Sequence, residues 1–293
     1  MSSLPLPRNL VAAAEFDSDG RRRGWLTTLS TSVNLVERHW RLQVGEPFQP
    51  GGQIAWVAPA RTDSRDDLVL KLSWQNDEEL DEANGLRAWD GQGAVRLYAA
   101  ETFGDTSALL LERCTPGTPL ASRPEPEQDI VIASLLSRLW LEPQPGHPFR
   151  PLQDMCDAWA DEFERNAVAQ PGSFDPGLTR EGVRLLRSLP STAERQVLLC
   201  TDLHAHNVLA ATRESWLMID PKPYVGDPTY DPVQHLLNCD ERLRANPLDL
   251  IRRMADLLHL EADRLALWTF ARCAQESLNS PELAEVARRI APT

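Results

Sequence analysis

The stretch LLCTDLHAHNVLAATRESWLMIDPKPYVGDPTYD, from Leu198 to Asp231, constrains this chain more than any other part of it. Two short apolar runs are each followed by an aspartate on a loop, Asp202 and Asp220, and Asn207 stands five residues after the first. Asp202-Leu203-His204-Ala205-His206-Asn207 has the Asp-x-x-x-x-Asn spacing of a phosphotransfer catalytic loop. Asp220, carried on Trp216-Leu217-Met218-Ile219, then takes the place of a second, metal-binding carboxylate. The chemistry needs this set. One carboxylate must orient or accept the proton of an attacking hydroxyl, and oxygen ligands must hold the Mg²⁺ that neutralises a triphosphate. These residues predict a phosphotransferase.

A chain of 293 residues can bury a substantial core and is long enough for two lobes. The net charge of −13 argues against nonspecific binding to nucleic acid or to an anionic membrane. It suits solubility, and it also suits a cationic acceptor. No apolar run approaches the roughly 18 residues that cross a bilayer. The N-terminus lacks the ordered regions of a secretory signal, so a cytoplasmic location is expected. The five cysteines (Cys114, Cys156, Cys200, Cys239, Cys273) are scattered and form no CxxC pair. That argues against both a disulfide framework and a zinc ribbon.

Of the 30 basic residues, only Lys71 and Lys222 are lysines. A compact ammonium and a planar guanidinium are not interchangeable at a tight site, so both lysines stand out against the arginine background. Lys71 lies in the strand-like run Leu68-Val69-Leu70-Lys71-Leu72, where burial without a partner would be costly. Lys222 follows Asp220 by two residues. Neutralising Asp220, touching phosphate and covering local backbone all remain open for it.

Along the chain, apolar spacing predicts a helix over 20–40, then antiparallel strands between 41 and 72 with a glycine-containing hairpin at 50–52. A helix is expected over 75–90 and strands over 94–98 and 108–112. The composition changes at Cys114-Thr115-Pro116-Gly117, and the lobe boundary is placed there, giving segments 1–113 and 114–293. Helices are expected over 125–140, 151–168, 178–188, 232–243 and 247–289, with a proline-rich loop over 142–151. The plan is α+β and bilobal: an N-terminal antiparallel sheet with one helix, then a mostly helical half whose loops carry the acids.

The segments Ile219-Asp220-Pro221-Lys222-Pro223 and Val225-Gly226-Asp227-Pro228, with Leu70-Lys71-Leu72-Ser73-Trp74 and Gly85 through Leu97, resemble the aminoglycoside 6-phosphotransferase and hydroxyurea phosphotransferase family. These are small-molecule kinases with a protein-kinase-like fold, and the resemblance runs from about residue 40 to 275 in the expected order. It implies ATP and Mg²⁺ as cofactors and a small-molecule hydroxyl acceptor as partner. Lys71 would contact the α- and β-phosphates, paired with Glu82 or with Glu78 or Glu79 one turn earlier. Gly51 and Gly52 would let the hairpin backbone approach the phosphates, and Glu112 and Cys114 would offer backbone groups to adenine. Asp202 would be the catalytic base or hydroxyl positioner, with Asn207 and Asp220 as Mg²⁺ ligands. His204, Asp227 and Asp231 are candidates for the acceptor side, the two aspartates being equally suited to cap the following helix. Two positions depart from the family: Cys200 stands where many relatives have His, and Thr201 where Gly is common.

A streptomycin-type aminoglycoside is the first acceptor this resemblance implies, and hydroxyurea or another small metabolite the second. Two readings from other classes compete. One is a catalytically silent, nucleotide-binding kinase-like module. The other is a metallohydrolase using His204-x-His206, a pair suited to zinc, although in barrel enzymes such a pair comes early with more ligands after it.

Overall fold

Leucines at every second position from Leu68 to Leu72 give one strand a wholly buried apolar face, the period-two signature of a strand packed on one side. The computed structural model describes residues 4–17, 20–74, 77–170, 175–277 and 279–292. Its strands β1 (Gln43–Val44), β2 (Ala55–Thr62), β3 (Arg65–Trp74), β4 (Leu97–Phe103) and β5 (Thr106–Glu112) form one antiparallel sheet of order β1-β2-β3-β5-β4. Lys71 lies opposite Val57 on one neighbour and Leu109 on the other. Alternation puts it on the face away from Leu70 and Leu72.

The leucine face packs against α2 (Arg21–Trp40), whose buried stripe Trp25, Leu29, Val33 and Val36 follows helical spacing. Trp25 also donates its indole N–H to Thr106 Oγ1 at 3.0 Å. A short helix that periodicity did not reveal, α1 (Arg8–Glu15), precedes α2 and adds Leu10 to the same core. The expected helix over 75–90 is α3 (Asp77–Trp89); its first two expected positions lie outside the described residues. β4 begins three residues later than expected, because Ala94 and Val95 are buried in the turn before the strand.

The chain divides into two compact units, Met1–Gly117 with Ala210–Leu217, and Thr118–Leu209 with Met218–Thr293. The second is mostly helical: α4 (Glu125–Leu139), α5 (Leu152–Ala169), α6 (Pro176–Ser188), α7 (Val233–Asn238), α8 (Asp240–Ala245), α9 (Pro247–Leu258), α10 (Ala262–Glu276) and α11 (Glu282–Arg289). Helix α6 starts at an Asp175 cap that accepts the amides of Gly177 and Leu178. The expected helix over 232–243 is broken at Cys239 into α7 and α8. The expected helix over 247–289 is three helices, the first ended by His259 in the left-handed region and the last begun after Pro281. Four short strands complete the chain. β6 (Val197–Leu199) pairs with β9 (Tyr224–Gly226), and β7 (Val208–Ala210) with β8 (Trp216–Met218). No described helix is long and apolar enough to cross a membrane.

Candidate active site

In the first unit, Lys71 is buried and its ammonium lies 2.6 Å from Glu82 Oε2, with both side chains under a tenth exposed. A buried cation without a counter-charge would cost several kcal/mol, so this pair is what makes a lysine tolerable on β3. Glu82, the first of the candidate glutamates, faces Lys71; the side chains of Glu78 and Glu79 lie outside the described residues. The glycine pair is less symmetrical than its sequence. Gly51 has φ +74°, and a Cβ there would sit 2.5 Å from Pro7 Cβ. Asn9 donates its amide to Pro50 O at 3.1 Å and its side-chain Nδ2 to Gly51 O at 2.8 Å. Gly51 is thus a packing glycine under the N-terminal arm, while Gly52 has open space around its Cα.

At the end of β5, the Glu112 amide donates to Arg96 O at 2.9 Å, and its carboxylate accepts the Arg96 amide at 3.0 Å. The same carboxylate receives a fork from Arg213: Nε to Oε1 at 2.9 Å and one terminal nitrogen to Oε2 at 2.8 Å. Burial works against the charge, yet these bonds hold the Glu112 carboxyl below its ordinary range. Burial and the neighbouring Glu112 charge push the half-buried Cys114 thiol up to about 12, so it stays protonated at neutral pH.

In the second unit, Asp202 follows β6 and lies on a loop tied down at both ends. Asn207 Nδ2 donates to Asp202 O at 3.0 Å, and the Asn207 amide to His204 O at 2.9 Å. The Ile219 amide donates to Asn207 O at 2.9 Å, which brings Asp220 alongside. The Lys222 ammonium lies 3.9 Å from Asp202 Oδ2, and His204 Nε2 lies 4.0 Å from Oδ1. Lys222, whose role the sequence left open, is therefore a cation beside Asp202. Burial first, and nearby His206 next, lower the His204 pKa to about 4, so the ring is neutral at physiological pH. Its Nδ1 is buried with no hydrogen-bond partner.

Thr201 and Asp220 both have φ near +50° (47° and 54°), a left-handed conformation that costs a β-branched residue about 1–2 kcal/mol. The Thr201 hydroxyl offsets this by donating to Lys222 O at 2.6 Å, which is how this chain manages without the usual glycine. Cys200, at the position of the usual histidine, is fully buried, and that burial pushes its thiol well above the ordinary range. It packs and does no acid–base work.

The two aspartates expected at the acceptor are both buried and hydrogen-bonded internally. Asp231 is wholly buried and accepts the amides of Cys200 at 3.1 Å and Thr201 at 2.7 Å, plus the Trp140 indole at 2.9 Å. Asp227 is also buried; Arg264 and the Trp268 indole each reach it at 2.7 Å, and the Thr229 amide at 2.9 Å. Their oxygens are taken by internal donors: Asp231 ties down the Cys200–Thr201 backbone just ahead of Asp202, and Asp227 joins its own loop to α10. The sequence singled out Asp231 but not this bonding to Cys200, Thr201 and Trp140, which lie 30 or more residues away along the chain. His204 and His206 stand with ring centroids 5.8 Å apart. Among the described residues the one three-membered set of ligating side chains is Asp129, His235 and Cys239, which does not include them. A metallohydrolase centre at His204-x-His206 has no support here.

An antiparallel sheet with one inserted helix, then a helical unit with acids on loops after short strands, is the α+β plan of the protein-kinase-like small-molecule kinases. The fold is similar to an aminoglycoside phosphotransferase from Streptomyces rimosus solved with ADP and streptomycin, at a TM-score of 0.57 and 14% identity over 89% of this chain and 98% of that one. It is likewise similar to a choline kinase from Cryptosporidium parvum, at a TM-score of 0.59 over 89% and 93%. Residues 39–280 match the family of aminoglycoside/hydroxyurea antibiotic resistance kinases, and the chain belongs to that family. It is 34% identical to a streptomycin 6-kinase of Streptomyces griseus over 94% of this chain and 90% of the relative. To a hydroxyurea phosphotransferase of Kitasatospora aureofaciens it is 33% identical, over 97% and 82%.

Proposed function

We propose that this small-molecule kinase transfers the γ-phosphoryl group of ATP to a hydroxyl of a streptomycin-type aminoglycoside, with hydroxyurea as the second acceptor to test. The observation that carries the reading is the single hydrogen-bonded network that fixes Asp202, Asn207 and Asp220 on adjoining loops. The cationic acceptor is favoured by the net charge of −13 and by the likeness to streptomycin 6-kinases.

In the first unit, the Lys71 ammonium, held by Glu82, meets the α- and β-phosphates, Gly52 permits close backbone approach, and the backbone at Glu112 and Cys114 receives adenine. In the second, Asp202 orients the acceptor hydroxyl and takes its proton as the oxygen attacks the γ-phosphorus. The acceptor O–P bond forms while the bond from γ-phosphorus to the β,γ-bridging oxygen breaks, and ADP leaves. Asn207 and Asp220 suit Mg²⁺, because both offer hard oxygen ligands and the Asn207 nitrogen is already taken by Asp202 O, which turns Oδ1 the other way. Mg²⁺, when bound, neutralises charge on the phosphates. Lys222 adds positive charge beside Asp202, and neutral His204 lines the acceptor side. Catalysis of this kind is positioning plus electrostatics.

The test is ADP release with Mg·ATP and streptomycin, hydroxyurea or no acceptor, with Asp202→Asn as control. Turnover that depends on streptomycin and vanishes in the variant supports the reading. Turnover with hydroxyurea alone replaces the acceptor, and ATP binding without acceptor-dependent turnover favours the silent module.

A further inference from the structure

Arg213 bonds to four residues of the first unit. It sits at the turn between β7 and β8, in the Ala210–Leu217 segment that clusters with that unit although it follows the catalytic loop in sequence. Besides its two bonds to the Glu112 carboxylate, it donates to Gly91 O, at 2.6 Å, and to Ala94 O, at 2.9 Å, and it pairs with Glu214 Oε1 at 2.9 Å. The loop it grips is unusual. Asp90, Gly91 and Gly93 all have positive φ (45°, 77° and 73°), and the Gly93 amide points at Glu214 Oε1 from 3.5 Å. One planar fork therefore joins three things: the end of β5, the turn that closes α3, and the β7–β8 turn. Helix α3 carries Glu82, the partner of Lys71.

A guanidinium can do this and an ammonium cannot, because only the fork reaches a carboxylate bidentately while donating to two carbonyls. The arrangement also fixes direction. With its side chain clamped and its amide bound to Arg96 O, Glu112 has little freedom to turn its peptide groups.

We infer that Arg213 is a positioning residue for purine selection: its clamp on Glu112 sets the backbone edge that reads adenine. The inference rests on the proposed placing of adenine at Glu112 and Cys114. Arg213 itself touches neither nucleotide nor acceptor. Its loss should therefore blur base recognition while leaving the phosphate machinery of Lys71 and the chemistry of Asp202 in place.

The experiment measures kcat and KM for ATP and for GTP in Arg213→Lys and in Arg213→Gln, which keeps donors but loses the fork, with thermal unfolding to confirm folding. Lys71→Met is the reference for loss of phosphate contact. The expected result is a rise of about tenfold in KM for ATP, the worth of roughly one well-made hydrogen bond, with little change in KM for GTP and in kcat. The ATP-over-GTP preference then collapses in both folded variants. An unchanged preference in folded variants overturns the role of Arg213, while an inactive Lys71→Met in the same series leaves the kinase reading standing. If Lys71→Met retains full activity, the nucleotide placement fails and the inference falls with it.

Discussion

Replacing Asp231 removes a wholly buried side chain, and activity should nevertheless collapse. Its carboxylate is the common acceptor for three internal donors: the buried Cys200 and Thr201 amides and the part-buried Trp140 indole. Orphaning a buried donor costs about 1–3 kcal/mol. Asp231→Ala should thus lose roughly 3–6 kcal/mol, allowing for some water entry, out of a total of about 5–15 kcal/mol for a typical domain. Asp231→Asn keeps one oxygen but turns an NH₂ toward a donor, so about 2–3 kcal/mol is expected by the same reasoning. Thr201, next to Asp202, is held at φ 47° partly by this contact. Freed, it relaxes and carries Asp202 away from its working position, and a misplacement of about 1 Å can cost about 100-fold in rate. Urea unfolding and ADP-release kinetics measure the two effects. A pH series adds an independent check. Burial raises the Asp231 pKa to about 6, against the pull of its donors. A carboxyl raised above its unfolded value of about 3.9 contributes stability in its protonated form, which is lost as pH rises from about 4 to about 6. The wild type should show that decline and Asp231→Asn should lack it. A variant that unfolds within about 1 kcal/mol of wild type and keeps its kcat would refute the argument.

Glu82→Gln removes the carboxylate that pairs with the Lys71 ammonium at 2.6 Å; KM for ATP should rise and kcat fall by about tenfold or more, read by steady-state kinetics. Asn9→Ala removes the bond to Gly51 O and should lower stability by about 1 kcal/mol, seen as a small drop in melting temperature. Asp129 is buried, but hydrogen bonds from His235, Arg242 and Arg253 overcome that and hold its pKa below the ordinary range. Its contribution is therefore present above about pH 4 and lost as pH falls below that. Asp129→Asn should cost about 3–5 kcal/mol at neutral pH and flatten the acid limb of the stability curve.

What the sequence disclosed and what it hid divide along physical lines. Strand β3 and helix α2 were legible because each carries one unbroken apolar period, and the nearness of Asp202 to Asn207 because the two stand five residues apart on one loop. The breaks at Cys239 and His259 were not, since the apolar pattern continues across them while the backbone turns. Helix α1 hid behind its short length, and with it the reason that Gly51 serves packing under Pro7. Asp227 and Asp231 read as site acids because spacing reports nearness along the chain; only packing reveals that their oxygens face inward donors. Arg213 gave no signal at all, one arginine among many, because its partners at Glu112, Gly91 and Ala94 are distant in sequence.

The central claim is that Asp202 directs phosphoryl transfer from Mg·ATP to an acceptor hydroxyl, and phosphorus NMR of the reaction mixture follows that transfer directly. With streptomycin present, the account predicts that the γ-phosphate signal of ATP gives way to a phosphate-monoester signal on the acceptor, one for each ADP formed, and that Asp202→Asn abolishes both. Inorganic phosphate in place of the monoester, or transfer that persists at wild-type rate in the folded variant, would contradict it.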